Sequence, residues 1–187
     1  VGTIGATFIL IAIGMMYMMT GTLNMSDLAN RLPEVKDTRT IQTAFAFLSV
    51  GLTLKIALFP MHSWLPNVYA YAPSVTTIFL SATSTKVSLY IFIRFLFTIY
   101  GVDYAFNELA ITEILLPLGL LGIFVATVVA MFQTDLKRLL AYSSIAQIGY
   151  IVVGLSLSTV SGLTASITHI FNHGLIKAAL FMAVGMI

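Results

Sequence analysis

The sequence predicts an all-α integral membrane fold: a bundle of about six transmembrane helices, one of them broken by proline. Three observations carry that expectation. Hydrophobic residues make up 59% of the 187 and charged residues only 9%, where a globular domain carries about 25% charge, and the mean hydropathy is +1.00. Apolar runs of about 20 residues, long enough to cross a bilayer, recur along the whole chain. Inside three of those runs stand Lys55, Lys86 and Lys177, with no Asp or Glu in the same run to neutralise them.

By run length the expected spans are 1–20, 41–60, 74–99, 113–133, 140–158 and 163–187, a single transmembrane region. The first run lacks the basic start and small-residue cleavage pattern of a signal peptide, so it is expected to be a true span. The chain opens on Val1 rather than Met and closes on the apolar Ala183–Ile187, which leads us to expect a segment of a longer subunit. The connection 21–39 alternates Arg31, Lys36 and Arg39 with Asp27, Glu34 and Asp37, and Asn24-Met25-Ser26-Asp27 begins like a capped helix. It is expected to lie at the interface as an amphipathic turn or two.

After Lys55, three prolines (Pro60, Pro66 and Pro73) fall within fourteen residues, which forbids a continuous helix. Trp64, Tyr69 and Tyr71 keep the stretch apolar and interfacial. One reading is a broken helix, whose unwound backbone is tolerated at membrane depth only inside protein or beside a water-filled cavity. The other is an interfacial turn with aromatic anchors. Asp135, Lys137 and Arg138 open the fifth span; there the acid suits the helix dipole and the cations suit headgroups or a partner subunit.

The few ionisable groups behind the net charge of +2 form no basic stripe, so no nucleic-acid partner is expected. The absence of cysteine excludes disulfides, iron–sulfur clusters and thiolate metal sites within the chain. No phosphate-binding glycine loop, nucleophile elbow or dinucleotide fingerprint is present, and no cofactor is expected.

The chemistry therefore rests on the lysines and on histidine. A charge at mid-bilayer costs at least roughly 2.5–3.5 kcal/mol, so an intramembrane lysine is a functional candidate, and the pattern points to ion movement. Lys55 stands just before the proline break, where free carbonyls and water could make it a titratable amine; snorkelling to the headgroups is the alternative. Lys86 is central in its run, with Thr83 and Tyr90 at i−3 and i+4 on its face to hold water beside it. His169, His173 and Lys177 recur at i, i+4 and i+8, one ionisable group per turn over about 12 Å. Histidine shuttles protons near neutral pH. The rival readings of the pair are a zinc site, which Lys177 would repel and which lacks a third ligand, and a packed hydrogen-bonded pair.

Several separate motifs in order then carry a resemblance: Leu54-Lys55 through Phe59-Pro60-Met61-His62-Ser63-Trp64-Leu65-Pro66, Ala72-Pro73-Ser74, Lys86-Val87, Asp135 through Lys137-Arg138 to Gln147-Ile148-Gly149, and His169-Ile170-Phe171-Asn172-His173-Gly174-Leu175-Ile176-Lys177. From about residue 40 onward the chain resembles the antiporter-like subunits shared by respiratory complex I, Mrp-type Na⁺/H⁺ antiporters and membrane-bound hydrogenases. The stretch from Trp64 to Pro73 and Thr85-Lys86-Val87 look most like the D-type Mrp subunit.

The resemblance implies about fourteen helices with two inverted repeats of five, of which this chain would cover the sixth to eleventh. Lys55 would match the lysine of the broken seventh helix, Lys86 that of the eighth, and His169, His173 and Lys177 the polar axis of the eleventh. A partner glutamate would lie upstream of Val1, and a second broken helix beyond Ile187. Counting Lys and Arg in the loops weakly favours a cytoplasmic 21–39, whereas the resemblance puts that connection outside; we follow the resemblance, because the charge bias is small.

The expectation is thus a proton-translocating membrane subunit with Lys55, Lys86, His169, His173 and Lys177 as carriers and Pro60, His62, Trp64 and Pro66 forming the helix break. Lys55 would exchange a proton with Lys86 through water. Expected partners are the lipid bilayer, homologous antiporter-like and small membrane subunits, and protons, with Na⁺ left open. The expected location is a prokaryotic plasma membrane. Alternatives are a pumping subunit of NADH:quinone oxidoreductase or a membrane-bound hydrogenase, a scaffold subunit with fixed intersubunit ion pairs, and a quinone cleft near Trp64 and His62.

Overall fold

The computed structural model describes residues 2–186, and no strand occurs among them. Eight α-helices follow one another: α1 Gly2–Thr20, α2 Met25–Val35, α3 Arg39–Ile56, α4 Trp64–Tyr71, α5 Ser74–Arg94, α6 Ile111–Met131, α7 Leu136–Ser156 and α8 Val160–Gly185. Among the described residues, five helical stretches are long and apolar enough to cross a membrane: α1, α5 with its continuation to Ile99, α6, α7 and α8. Arg39, Gln42 and Lys55 dilute α3, which is not one of the five. The fold is all-α and membrane-type, as its composition predicts.

The proline-rich stretch is a helix break. α3 ends at Ile56, the next residue Ala57 takes a left-handed φ of 61°, and helix resumes only at Trp64. Left-handed backbone after the last helical residue terminates a helix by turning the chain away from the ladder. Pro60 lies in the break, with a cis Phe59–Pro60 bond, and Pro66 sits in the first turn of α4, where a missing N–H costs nothing. The expected span 41–60 therefore stops short, because Pro60 cannot donate to a continuing helix.

The chain falls into two compact units. The first comprises residues 1–55 and 90–111. Here α1 and α3 approach closely at two glycines: a Cβ on Gly51 would sit 2.8 Å from Gly5 O. Such small-residue contacts replace the missing hydrophobic drive for helix association in lipid. The expected interfacial segment is α2, capped by Asn24 Oδ1, which accepts from Ser26 N at 2.9 Å. It buries only Leu28 and Leu32. Past α5 the chain forms two π-helical turns, Phe95–Ile99 and Asp103–Glu108, separated by Gly101 at φ 81°. The connection between the expected spans 74–99 and 113–133 is thus partly helical. Tyr104 OH donates to Lys36 O at 2.6 Å, and Lys36 Nζ donates to Glu108, so the second π turn is tied to the end of α2.

The second unit comprises residues 56–89 and 112–187. Its core gathers Ala57, Leu65, Tyr69, Ala126, Ala141, Ile145, Ala146 and Phe181, with Trp64 packed against it. α6 and α7 meet at another glycine pair, where a Cβ on Gly149 would lie 2.7 Å from Gly119 O. α4 is held by an edge-on contact of Tyr69 with Phe181 and by Thr77 Oγ1, which donates to Tyr69 O. Asp135 is the N-cap of α7 rather than a first-turn residue, accepting from Lys137 N at 2.8 Å. Its neighbours find partners within the unit: Arg138 donates to Tyr71 OH at 3.0 Å, and Lys137 to Ser74 Oγ at 3.4 Å.

Candidate functional site

α7 and α8 form an antiparallel hairpin whose register is fixed by polar contacts along its length. Near the connection, Ser166 Oγ donates to Ile151 O at 3.0 Å. One turn farther along α8, His169 Nε2 meets Gln147 Oε1 at 2.6 Å. At the far end Lys177 Nζ donates to Leu140 O at 2.8 Å and to Ser143 Oγ at 2.5 Å. Leu140, Ser143 and Gln147 recur at helical spacing, so one face of α7 holds both ends of the α8 ladder. Gly174 carries that ladder close to α5, since a Cβ there would lie 3.2 Å from Ala82 O.

The three predicted ladder residues are not equivalent. His173 and Lys177 are buried, at 2% and 3% exposure, whereas His169 is half-buried. The imidazoles of His169 and His173 are nearly parallel, 7° apart with centroids 6.0 Å apart. Neither ring nitrogen of His173 has a hydrogen-bond partner among the described residues. A buried polar group left unpaired is costly, and its usual remedy in a polar site is an ordered water.

Lys86 belongs to the same constellation. It is 7% exposed, its Nζ donates to Ser81 O at 2.5 Å, and Lys86, Lys177 and His169 all lie within electrostatic reach of His173. A lysine ammonium has three N–H donors. Lys86 uses one and Lys177 two on oxygens of the described residues, and neither forms an ion pair there. A groove of about 490 Å³ between α5 and α8, with Thr83, Ile170 and Gly174 in its walls, opens beside Lys86. Of the two residues expected to hold water at Lys86, Thr83 lines that groove while donating to Phe79 O at 2.8 Å; Tyr90 is exposed.

Lys55 lies in the first unit, in the last turn of α3, half-buried with its stem against the Gly5 position of α1. In the break, His62 stacks on Phe59 at 5.3 Å and stands edge-on to Tyr142 at 6.4 Å. Pro60, His62, Trp64 and Pro66 thus shape the turn and seat α4. Sequence reasoning overlooked Ser143, Gln147 and the carbonyls of Ser81 and Leu140 as partners. Ser143, Ser144 and Gln147 do form a polar stripe on an otherwise apolar span, and that stripe was the available signal.

A polytopic helical membrane protein with a broken helix and buried, acid-free lysines and histidines is the class that fold and site define. The family described as "NADH:quinone oxidoreductase/Mrp antiporter, TM" matches residues 1–187, and the chain belongs to it. Among relatives, it is 42% identical over 186 residues to the N-type subunit of NADH-quinone oxidoreductase from Desulforudis audaxviator, covering 99% of this chain and 36% of that protein. It is 34% identical over 176 residues to the D-type subunit of the Na(+)/H(+) antiporter from Alkalihalophilus pseudofirmus, covering 94% of this chain and 35% of the other. The chain thus spans about a third of these relatives' length.

Among solved structures, it superposes on a chain of the membrane-bound sulfane sulfur reductase, an archaeal respiratory membrane complex, with a TM-score of 0.86 and 34% identity, covering 99% of this chain and 37% of that one. N-type and D-type relatives both match, so the D-type branch favoured by the motifs is not singled out.

Proposed function

We propose that this chain is part of a membrane subunit that translocates protons through Lys86, His173, His169 and Lys177, with Lys55 as a further carrier. The observation that carries the reading is that two ammonium groups and an unpartnered imidazole are buried together with no carboxylate among the described residues to fix them. A structural ion pair would hold its charge; amines bonded only to carbonyl and hydroxyl oxygens, with N–H groups to spare, are suited to exchange protons with water. Like charges this close repel, so loading one site favours unloading its neighbour.

α3, at 18 residues about 27 Å long, serves as a sixth crossing. The setting is a multisubunit complex in a prokaryotic plasma membrane, with homologous antiporter-like and small membrane subunits as partners. Family membership supports a Mrp-type antiporter or an NADH:quinone oxidoreductase as that complex, and Na⁺ as a second cargo in the first case; a membrane-bound hydrogenase stays as an alternative on the sequence resemblance. The test is alanine substitution of Lys55 and Lys86 in the full assembly. Transport is expected to vanish while assembly yield holds; normal transport in both variants rejects the reading, and lost assembly with unchanged transport per complex favours a scaffold.

A further inference from the structure

Ser143 and Gln147, the two α7 side chains that hold Lys177 and His169, also line a second groove, of about 350 Å³, between α6 and α7. Its other walls are the hydroxyl-bearing Thr127 and Tyr150, both exposed, and the apolar side chains of Ala130, Met131, Leu139 and Ala146. The same two side chains therefore touch both the ladder and open space. A volume of this size holds several waters, and four polar side chains supply the partners that ordered water needs.

We propose that the α6–α7 groove is a lateral water port to the ladder, and that Ser143 passes protons between Lys177 and water in that groove. This rests on the proton-carrying reading above and adds to it a route and a relay residue. Ser143 Oγ accepts from Lys177 Nζ at 2.5 Å while its own hydroxyl donates to Leu140 O at 2.9 Å. Rotation about the Cβ–Oγ bond turns that hydroxyl's hydrogen toward the groove while Oγ stays beside Lys177. In the handover, the Lys177 ammonium gives one proton to Ser143 Oγ as the serine's own hydroxyl proton passes to a groove water. An ammonium and a water become an amine and a hydronium, and the serine is restored. Gln147 is a positioning residue: with its carbonyl oxygen accepting from His169 Nε2–H, Nδ1 of His169 is left as the acceptor.

The test uses the full-length protein in its assembled complex, reconstituted in vesicles. Ser143→Ala is expected to lower proton transport about a hundredfold, the low end of what a lost proton-transfer group costs, and Ser143→Thr, which keeps a hydroxyl, to restore most of it. The chain has no cysteine, so Thr127→Cys places one thiol in the groove wall. A charged, membrane-impermeant methanethiosulfonate should label that thiol, as read by mass spectrometry of its peptide, and the adduct should slow transport. Wild-type transport by Ser143→Ala overturns the relay. A thiol that reacts with a lipid-soluble maleimide but not with the charged reagent means that lipid fills the groove, and overturns the port. Lys177→Ala separates the two levels: if it abolishes transport while Ser143→Ala does not, only the relay fails, and if it too transports normally, the proton-carrying reading falls.

Discussion

Lys177 Nζ on α8 reaches across the helix hairpin to Ser143 Oγ on α7, 2.5 Å away, and no carboxylate among the described residues pairs with it. A buried ammonium held by a hydroxyl and a carbonyl is hydrogen-bonded but not neutralised. That distinction separates a site that exchanges protons from one that only fastens two helices together.

Gln147→Leu should leave His169 Nε2–H without its acceptor, because the amide oxygen 2.6 Å away is its partner on α7. Losing one partner of a half-buried hydrogen bond costs about 1–2 kcal/mol. A lowered melting temperature of the purified complex, together with a reduced transport rate, is the expected result, and Gln147→Glu, which keeps an acceptor, should retain more of both.

At the α6–α7 contact, Gly149→Val should destabilise the packing of these two helices, because any Cβ there meets Gly119 O at 2.7 Å and Ile123 N at 3.1 Å, and neither backbone atom can swing aside. Overpacking of this kind costs about 1–3 kcal/mol. Gly14→Ala is the control: nothing lies within 4 Å of a Cβ at that helical position, so melting should be unchanged or slightly raised.

The hydrogen bond from Lys36 to Glu108, outside the spans, raises the lysine's pKa above its ordinary 10.5, with burial opposing and the nearby carboxylates of Glu108, Asp37 and Asp103 assisting. A raised folded-state value means that the tie is fully present below pH 10.5 and is lost as pH climbs through the folded value. Amide exchange in the turn Asp103–Glu108, corrected for its intrinsic pH dependence, should therefore be flat through neutral pH and accelerate above that point. Glu108→Gln should speed it at neutral pH by roughly two- to fivefold, since the pair is exposed, and remove the alkaline step.

Much of this architecture was legible in the sequence, because bilayer thickness imposes run length: the expected 74–99 and 113–133 fall within two residues of the helical stretches observed. The break after Lys55 was visible in Pro60 and Pro66, and the ladder in the spacing of His169, His173 and Lys177. The rest depends on tertiary contacts. That Gln147 faces His169 and Ser143 faces Lys177 follows from the register of two helices, and Lys86 reaches back to the carbonyl of Ser81, a group every residue carries. The π turns around Tyr100 and Tyr104 arise where these rings stack on each other and Tyr100 packs edge-on against Phe45, which no local pattern announces.

If the buried lysines load and release protons rather than serve as fixed charges, a side chain that cannot deprotonate should stop them. Arginine keeps the charge and the hydrogen bonds but does not deprotonate in proteins, so the decisive assay is proton transport by the assembled complex carrying Lys86→Arg, and separately Lys177→Arg. Complexes that assemble in normal yield yet move no protons in a vesicle pH assay are the expected result. Wild-type transport by either variant would contradict it.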